Sequence, residues 1–265
     1  MLWSRIFLLF VGIVVAVEAF AQVKIPQLQQ VFSVVHTQQI NTEMHIAQAQ
    51  MLMQSDRITQ VNYTVESLHE TGYQLKAITT YISGKMLAWA QEQSFNSNDT
   101  SGLNNDELKW IKNLLNIPVY INVVNNHAIP TSDTTPAALY LSDEDAGKYF
   151  FSVAHPKLGY NWIDSTHTDS SKIIYQYLIS KITADSIAIT VYADMVIRQK
   201  FQQNNTGLVQ QLKGILRATR WYNTKSGVLK TEESNTLLTG STAINGSKIP
   251  VRVTIKSSLK VEEKR

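Results

Sequence analysis

Asp164, Ser165 and His167 stand almost side by side, with Asp169 just beyond. These are the residue types of a serine nucleophile, its imidazole base and the carboxylate that orients the base. A working triad is assembled by the fold, with the serine on a tight turn, and no Gly-x-Ser-x-Gly surrounds Ser165. Adjacency along the chain is better read as a polar loop after Trp162. His155, Asp164, His167 and Asp169 offer nitrogen and oxygen ligands for zinc. Yet His36, His45, His69, His127, His155 and His167 are scattered, with no His-x-x-x-His or His-Glu-x-x-His pair. Asp143, Glu144 and Asp145 could hold calcium, but a helix N-terminus, where the dipole favours acids, is the better reading. The 11 glycines form no phosphate-binding loop, and the paired carboxylates of a glycosidase are defined in space, not by spacing in sequence. The expectation is no catalytic residue, no metal and no cofactor, in a chain that binds and does not catalyse.

The elements that would position any site are mostly strands. Ile249, Val251, Val253, Ile255, Ser257, Leu259 and Val261 alternate with Pro250, Arg252, Thr254, Lys256, Ser258 and Lys260, so one face is buried and one is wet. Asn245-Gly246 supplies the hairpin turn before it, after an extended run from Asn235 to Ile244. Leu212–Asn223 and Val228–Leu238 flank the turn Thr224-Lys225-Ser226-Gly227. Ile173–Lys181 and Ile187–Ile197 flank Ala184-Asp185-Ser186. Upstream, Val61, Tyr63 and Val65 alternate with polar residues before a turn at His69–Gly72 and a return strand Tyr73–Ile82. Shifted by 114 positions, Tyr63 meets Tyr177, Val65 meets Ile179, Leu68 meets Ile182 and Leu75 meets Ile189, a short match that two hairpins of equal loop length give by themselves, with an internal duplication as the alternative. Met44–Gln54 has helix-favouring residues but sits between strands, and is read as strand. A helix is expected near 105–116, capped by Asn105 or Asp106 and stopped before Pro118. A second, shorter one is expected near 143–150, opened by Ser142 and Asp145.

The first residues describe compartment. Met1–Arg5 is a short basic region, Ile6–Val17 is uncharged and apolar, and Glu18-Ala19-Phe20-Ala21 carries small residues at the two positions a signal peptidase inspects. Residues 1–21 therefore read as a cleavable export signal, whose apolar run Ile6–Val17 is too short to span a bilayer. With no cysteine in the chain, a lipoprotein anchor, disulfides and thiolate sites are excluded. Removing Arg5 and Glu18 takes 24 basic and 21 acidic residues to 23 and 20, still +3. Without clusters of Lys and Arg among aromatics, nucleic acid is not an expected partner. Lys248, Arg252, Lys256 and Lys260 form a basic row on the polar face of the last strand. Docking to anionic lipid is one reading, and a solvated face that discourages edge-to-edge pairing is the preferred one. Asn62, Asn98, Asn204 and Asn245 each open a glycosylation sequon.

At Gly159-Tyr160-Asn161-Trp162, followed by Ile174-Tyr175-Gln176-Tyr177, and again at Ser226-Gly227, Asn245-Gly246 and Ile249-Pro250, the chain resembles an uncharacterised family of exported bacterial proteins, a domain of unknown function. The resemblance covers most of the chain on degenerate motifs. It implies an exported, β-rich fold and carries no activity and no functional residues.

The expected architecture is mainly β (α+β): curved antiparallel sheets built from meanders and hairpins, with one or two short helices packed on them. Residues 22–151 form an N-terminal β-rich half and 152–265 a C-terminal antiparallel meander, able to share one sheet. Trp110, Ile111, Leu114 and Leu115 are candidates to close an apolar groove, although filling the core is their simpler use. The expected function is that of an exported, soluble cell-envelope binding protein, with a lipid or another hydrophobic molecule as ligand. The alternative is an interaction or scaffold protein docking another envelope protein, and a hydrolase ranks below both.

Overall fold

The computed structural model describes residues 26–46, 49–88, 91–99, 112, 114–124, 127–130, 147–151, 156–167, 171–203, 206–244 and 247–264. The export signal, Trp110, Ile111, Asp143–Asp145, His155, Asp169 and the Asn245-Gly246 turn lie outside them. Alternation of apolar and polar residues through most of the chain produces strands: β1 (Val31–Ile46), β2 (Ala49–His69), β3 (Gly72–Ala88), β4 (Gln91–Asn96), β5 (Pro118–Val124), β6 (His127–Pro130), β7 (Asn161–His167), β8 (Ser171–Ile182), β9 (Ser186–Gln203), β10 (Thr206–Asn223), β11 (Leu229–Ile244) and β12 (Ser247–Lys264). They form one open, curved antiparallel sheet in the order β6-β5-β3-β2-β1-β12-β11-β10-β9-β8-β7, with β4 beside β3. At ~3.3 Å per residue the longest strand, with 21 residues, spans about 70 Å. Because β1 pairs with β12 from Val31↔Lys264 to Met44↔Val251, the two halves of the chain share this sheet.

Two expectations are corrected. The expected short helices packed on the sheet are not among the described elements: residues 105–111 and 113 lie outside the described residues, with Lys112 in helical conformation between them, and of the span 143–150 the described part holds the 3-10 turn Gly147–Tyr149. At the end of the expected 105–116 helix, Leu115 instead bridges to Thr79, and Leu114 packs with Ile82 and Phe95. From Arg252 to Lys260 the basic row also does not guard an edge, because β12 is paired there with both β1 and β11.

The inner face closes around one end of the sheet. Phe32, Val34, Tyr63, Val65, Tyr73, Leu75, Ile179, Ile189, Tyr222 and Leu229 are buried there in one cluster. The segment 147–151 inserts among them as a plug. The Tyr149 ring lies 5.0 Å from Tyr63 and the Phe150 ring 5.2 Å from Tyr73. Such tilted and edge contacts suit the aromatic quadrupole. The Tyr222 hydroxyl donates to the Lys148 carbonyl at 3.0 Å and the Phe151 N–H to the Gly227 carbonyl at 2.8 Å. Gly227 has φ 73°, and a Cβ there would lie 2.6 Å from the Phe151 carbonyl oxygen. Gly227→Ala is therefore expected to cost about 1–3 kcal/mol through left-handed strain and overpacking. Urea denaturation should show a lowered midpoint, and an unchanged midpoint would mean the plug does not press on this turn.

The 114-residue offset holds in the structure from β2-β3 to β8-β9, and the turn and strand before each repeat at an offset of 130, Gln29 to Gly159. The Gln29 N–H donates to the Val65 carbonyl at 2.9 Å and the Val65 N–H to Gln30 at 3.0 Å; the Gly159 N–H donates to Ile179 at 2.9 Å and the Ile179 N–H to Tyr160 at 2.9 Å. Each turn begins Pro-x-Leu, at Pro26 and at Pro156, and has positive φ at its fourth residue, 63° at Gln29 and 80° at Gly159. A stacked pair follows each, Phe32 on Tyr63 at 5.2 Å and Trp162 on Tyr177 at 4.9 Å. Glu66 and Ser180 are the extra residues of matching bulges. The unit β1-β2-β3 is thus built again as β7-β8-β9.

Candidate functional site

Strand register sorts the inner face into three zones. Nearest the plugged end is the aromatic core already described. Next comes a polar band: His36 with Thr59, and Gln38 with Arg57, continue across β12, β11 and β10 through Ser257, Ser234, Glu232 and Arg220. Arg57 donates to Gln38 at 2.8 Å, and His36 bonds to the Ser257 hydroxyl. Beyond the band the face is mainly apolar, interrupted by Thr42, Ser55 and Thr236, and toward the far end of the strands Gln210 donates to Thr242 at 3.3 Å. Ile40, Ile255, Leu216, Val253, Leu238, Met195, Ile173, Met44, Val251, Leu212 and Ile197 stand on it, row by row. Leu212, Leu238, Val251 and Val253 are buried, while Ile40, Met44, Met195, Ile197 and Ile255 are half-buried against them. Met51 and Met53, opposite Met44 and Thr42, extend this trough onto β2, and Met86, opposite Ser55, onto β3. Every methionine after Met1 therefore sits on this face. Methionine is flexible and polarizable, and lines surfaces that accept varied apolar shapes. Among the described residues, those packing on the trough all come from the sheet.

At one edge of the band lies the most buried charge cluster among the described residues. Arg220 and Glu232 are cross-strand partners and form a buried ion pair through Arg220 Nε and Glu232 Oε2. Lys148 reaches from the plug to Glu232 Oε1 at 3.2 Å. Burial alone would raise the Glu232 pKa, but the Lys148 and Arg220 charges and their hydrogen bonds more than offset it and hold the carboxyl at about 2. Burial pushes the adjacent Tyr222 phenol up to about 12. Lys148, Arg220 and Tyr222, together with Phe151, Trp162, Asp164 and Tyr177, line a cavity of about 80 Å3. That is room for a few waters or a small polar group. The sequence gives little warning of this cluster, since Lys148 is 84 residues from Glu232. The one local cue is a glutamate at an inward position of its strand.

The residues singled out for chemistry fare differently. On β7, Trp162, Asp164 and Thr166 are half-buried, while Asn161, Ile163, Ser165 and His167 are exposed. Period two therefore sends Asp164 to the opposite face from Ser165 and His167, and the three do not assemble. Among the described residues no three of His, Asp and Glu gather as metal ligands. Leu114 and Leu115 pack with Ile82, Phe95 and Met86 on the inner face beside β4.

The outer face is the reverse of the trough. Lys213, Arg217, Lys248, Arg252, Lys256 and Lys260 project there and are exposed. A membrane-spanning barrel shows lipid an apolar band and keeps polar residues inside, the opposite arrangement. No helix among the described residues is long and apolar enough to cross a membrane.

No family model matches this chain, and no curated protein matches it. Among solved structures it is similar to one titled for lipid–protein interactions in lipovitellin, with a TM-score of 0.52 and 11% identity over 90% of this chain. The chain spans only 25% of the lipovitellin chain. Two further similarities, to OccK7 of Pseudomonas aeruginosa and to the attachment invasion locus protein Ail of Yersinia pestis, have TM-scores of 0.23 and 0.16 and identities of 6% and 5%. They cover 89% of this chain and 100% of each of those chains, and scores this low carry no argument. What the comparisons establish is a fold: a large, curved, antiparallel sheet of the kind found in part of lipovitellin.

Proposed function

We propose that this protein is an exported envelope protein that holds a lipid or a similar amphiphile against its inner face. The apolar part of the ligand lies along the trough from Ile255 and Leu216 to Val251 and Leu212. Its polar end lies toward the band of Gln38, Arg57, Ser257 and Ser234. The observation that carries this reading is the mainly apolar inner face, lined by methionines, with a band of polar and charged side chains between it and the plugged end. Burying a long acyl chain there yields about 0.8 kcal/mol per methylene, enough for stable loading of a chain of ordinary length. The likeness to a sheet of lipovitellin supports the architecture such a role needs, and the function is argued from this chain's own residues. No catalytic step is part of the proposal.

All described strands lie between Val31 and Lys264, so a chain starting at Gln22 retains them. Purified from its host envelope without detergent and extracted for mass spectrometry, that chain is expected to release a stoichiometric lipid absent from a control protein. An empty protein that also fails to take up a fluorescent fatty acid or phospholipid would overturn the proposal. A persistent protein complex on co-purification, with a ligand-free trough, would replace it by the scaffold reading.

A further inference from the structure

The outer face of β10 and β12 goes beyond what a ligand trough requires. Lys248, Arg252, Lys256 and Lys260 recur every four residues on β12, and Lys213 and Arg217 do so on β10. Pairing aligns them in rows: Arg252 with Thr239 and then Lys213, and Lys256 with Asn235 and then Arg217. With strands about 4.8 Å apart, the cations of each row are roughly 10 Å from one another, and successive rows are about 13 Å apart. The nearest acids on this face are Glu43, opposite Arg252, then Asp194, Glu233 and Glu262. Glu262 pairs with Lys260 at 3.2 Å. Lys213, Lys248, Arg252 and Lys256 make no ion pair among the described residues. The other half of the outer face is more balanced, with Lys76 bonded to Glu66 and Lys85 to Glu92.

Between the cations lie groups suited to a bilayer boundary. Ile215 and Leu237 are cross-strand partners, half-buried on the outer face, with Val196 44% exposed beside them. Trp221 and Tyr192 stand on the same side of β10 and β9, the ring types that settle at lipid headgroups. Since β12 is an interior strand, edge protection does not account for its lysines.

We propose that the outer face of β10–β12 docks on an anionic lipid surface, with Lys213, Arg217, Arg252 and Lys256 against the headgroups and Ile215 and Leu237 at the boundary. The sheet is curved, so a strip a few strands wide and parallel to them makes the contact. That is the shape of this array.

The test is flotation of the Gln22–Arg265 chain with vesicles of phosphatidylglycerol and phosphatidylcholine, and with vesicles of phosphatidylcholine alone. Binding is expected to the mixed vesicles only and to weaken with salt, as surface charges are screened. The variant carrying Lys213→Glu, Arg217→Glu, Arg252→Glu and Lys256→Glu should bind at least about 100-fold more weakly, since each basic residue near such a surface contributes roughly a factor of five. All four are exposed, and an unchanged thermal midpoint would exclude unfolding as the cause. A milder variant, Lys256→Gln with Arg252→Gln, should fall between the two. Equal binding to both vesicles, no binding to anionic vesicles, or retention on a soluble polyanion but not on vesicles would each overturn the proposal. Filling the trough with Ile255→Lys should leave flotation unchanged, so the docking face and the ligand trough can fail separately.

Discussion

Replacing Glu232 by alanine is expected to destabilise the protein by about 3–5 kcal/mol, the cost of leaving buried cations without their counter-charge. Lys148 and Arg220 are, like Glu232, only 7–8% exposed in their side chains. Removing the carboxylate takes away the counter-charge that both cations share and a polar anchor of the plug. Glu233, the next residue, is exposed on the opposite face, and Glu233→Ala should change stability by no more than about 0.5 kcal/mol. The pair of variants separates burial from mere charge. The pH dependence follows from the depressed pKa. Glu232 titrates at about 2 in the folded protein, against 4.5 ordinarily, so its contribution is complete above 4.5. It is lost as pH falls from there toward 2, because the unfolded chain binds the proton first. The stability gap between the parent protein and Glu232→Gln, measured by urea denaturation, should be constant near neutrality and close between these pH values. A gap unchanged at pH 2 would show that the carboxylate does not stabilise by its charge.

The fold was readable where the solvent differs on the two sides of a strand. Ile249 to Val261 alternates because β12 has a wet outer face and a dry inner one, and Val251, Val253, Leu259 and Val261 are buried as that period requires. The 114-residue offset survived for the same reason: Tyr63 and Tyr177 occupy equivalent inward positions with equivalent ring partners. What sequence could not supply is what crosses the sheet. The plug is five described residues whose contacts lie far away in sequence, and Gly147 to Phe151 has no periodicity to announce them. Trp110, Ile111, Leu114 and Leu115 were singled out because a helical spacing aligned them. Yet Leu114 and Leu115 are held by Ile82, Phe95 and Met86 on a neighbouring strand pair, and Trp110 and Ile111 lie outside the described residues. The trough itself was partly legible. The inward set on β12 could be written down from alternation, but which partner strands extend it, and that methionines collect there, depends on register. A one-residue slip would have turned Met44, Met51 and Met53 outward.

Register also permits the sharpest test of the trough. Ile255 stands on the inner face in a row with Ile40, Thr236 and Leu216, while Thr254 stands on the outer face opposite Leu237. Ile255→Lys is expected to reduce affinity for a fluorescent fatty acid by about 100-fold. An ammonium in the middle of an apolar floor must be desolvated, or must swing its stem across the path of the ligand, at roughly 3 kcal/mol. Thr254→Lys adds the same charge one residue away and should leave affinity within about twofold, because its side chain reaches water. Ile255 is only half-buried, so the substitution should be tolerated by the fold, and a thermal melt on the same samples checks this. If both lysines weaken the probe equally, the effect is one of overall charge. If neither does, the apolar ligand lies elsewhere and the inner face is a structural surface. Only loss with Ile255→Lys and retention with Thr254→Lys fits a ligand lying along the trough, since the two variants differ in little but the face of the sheet on which the charge is placed.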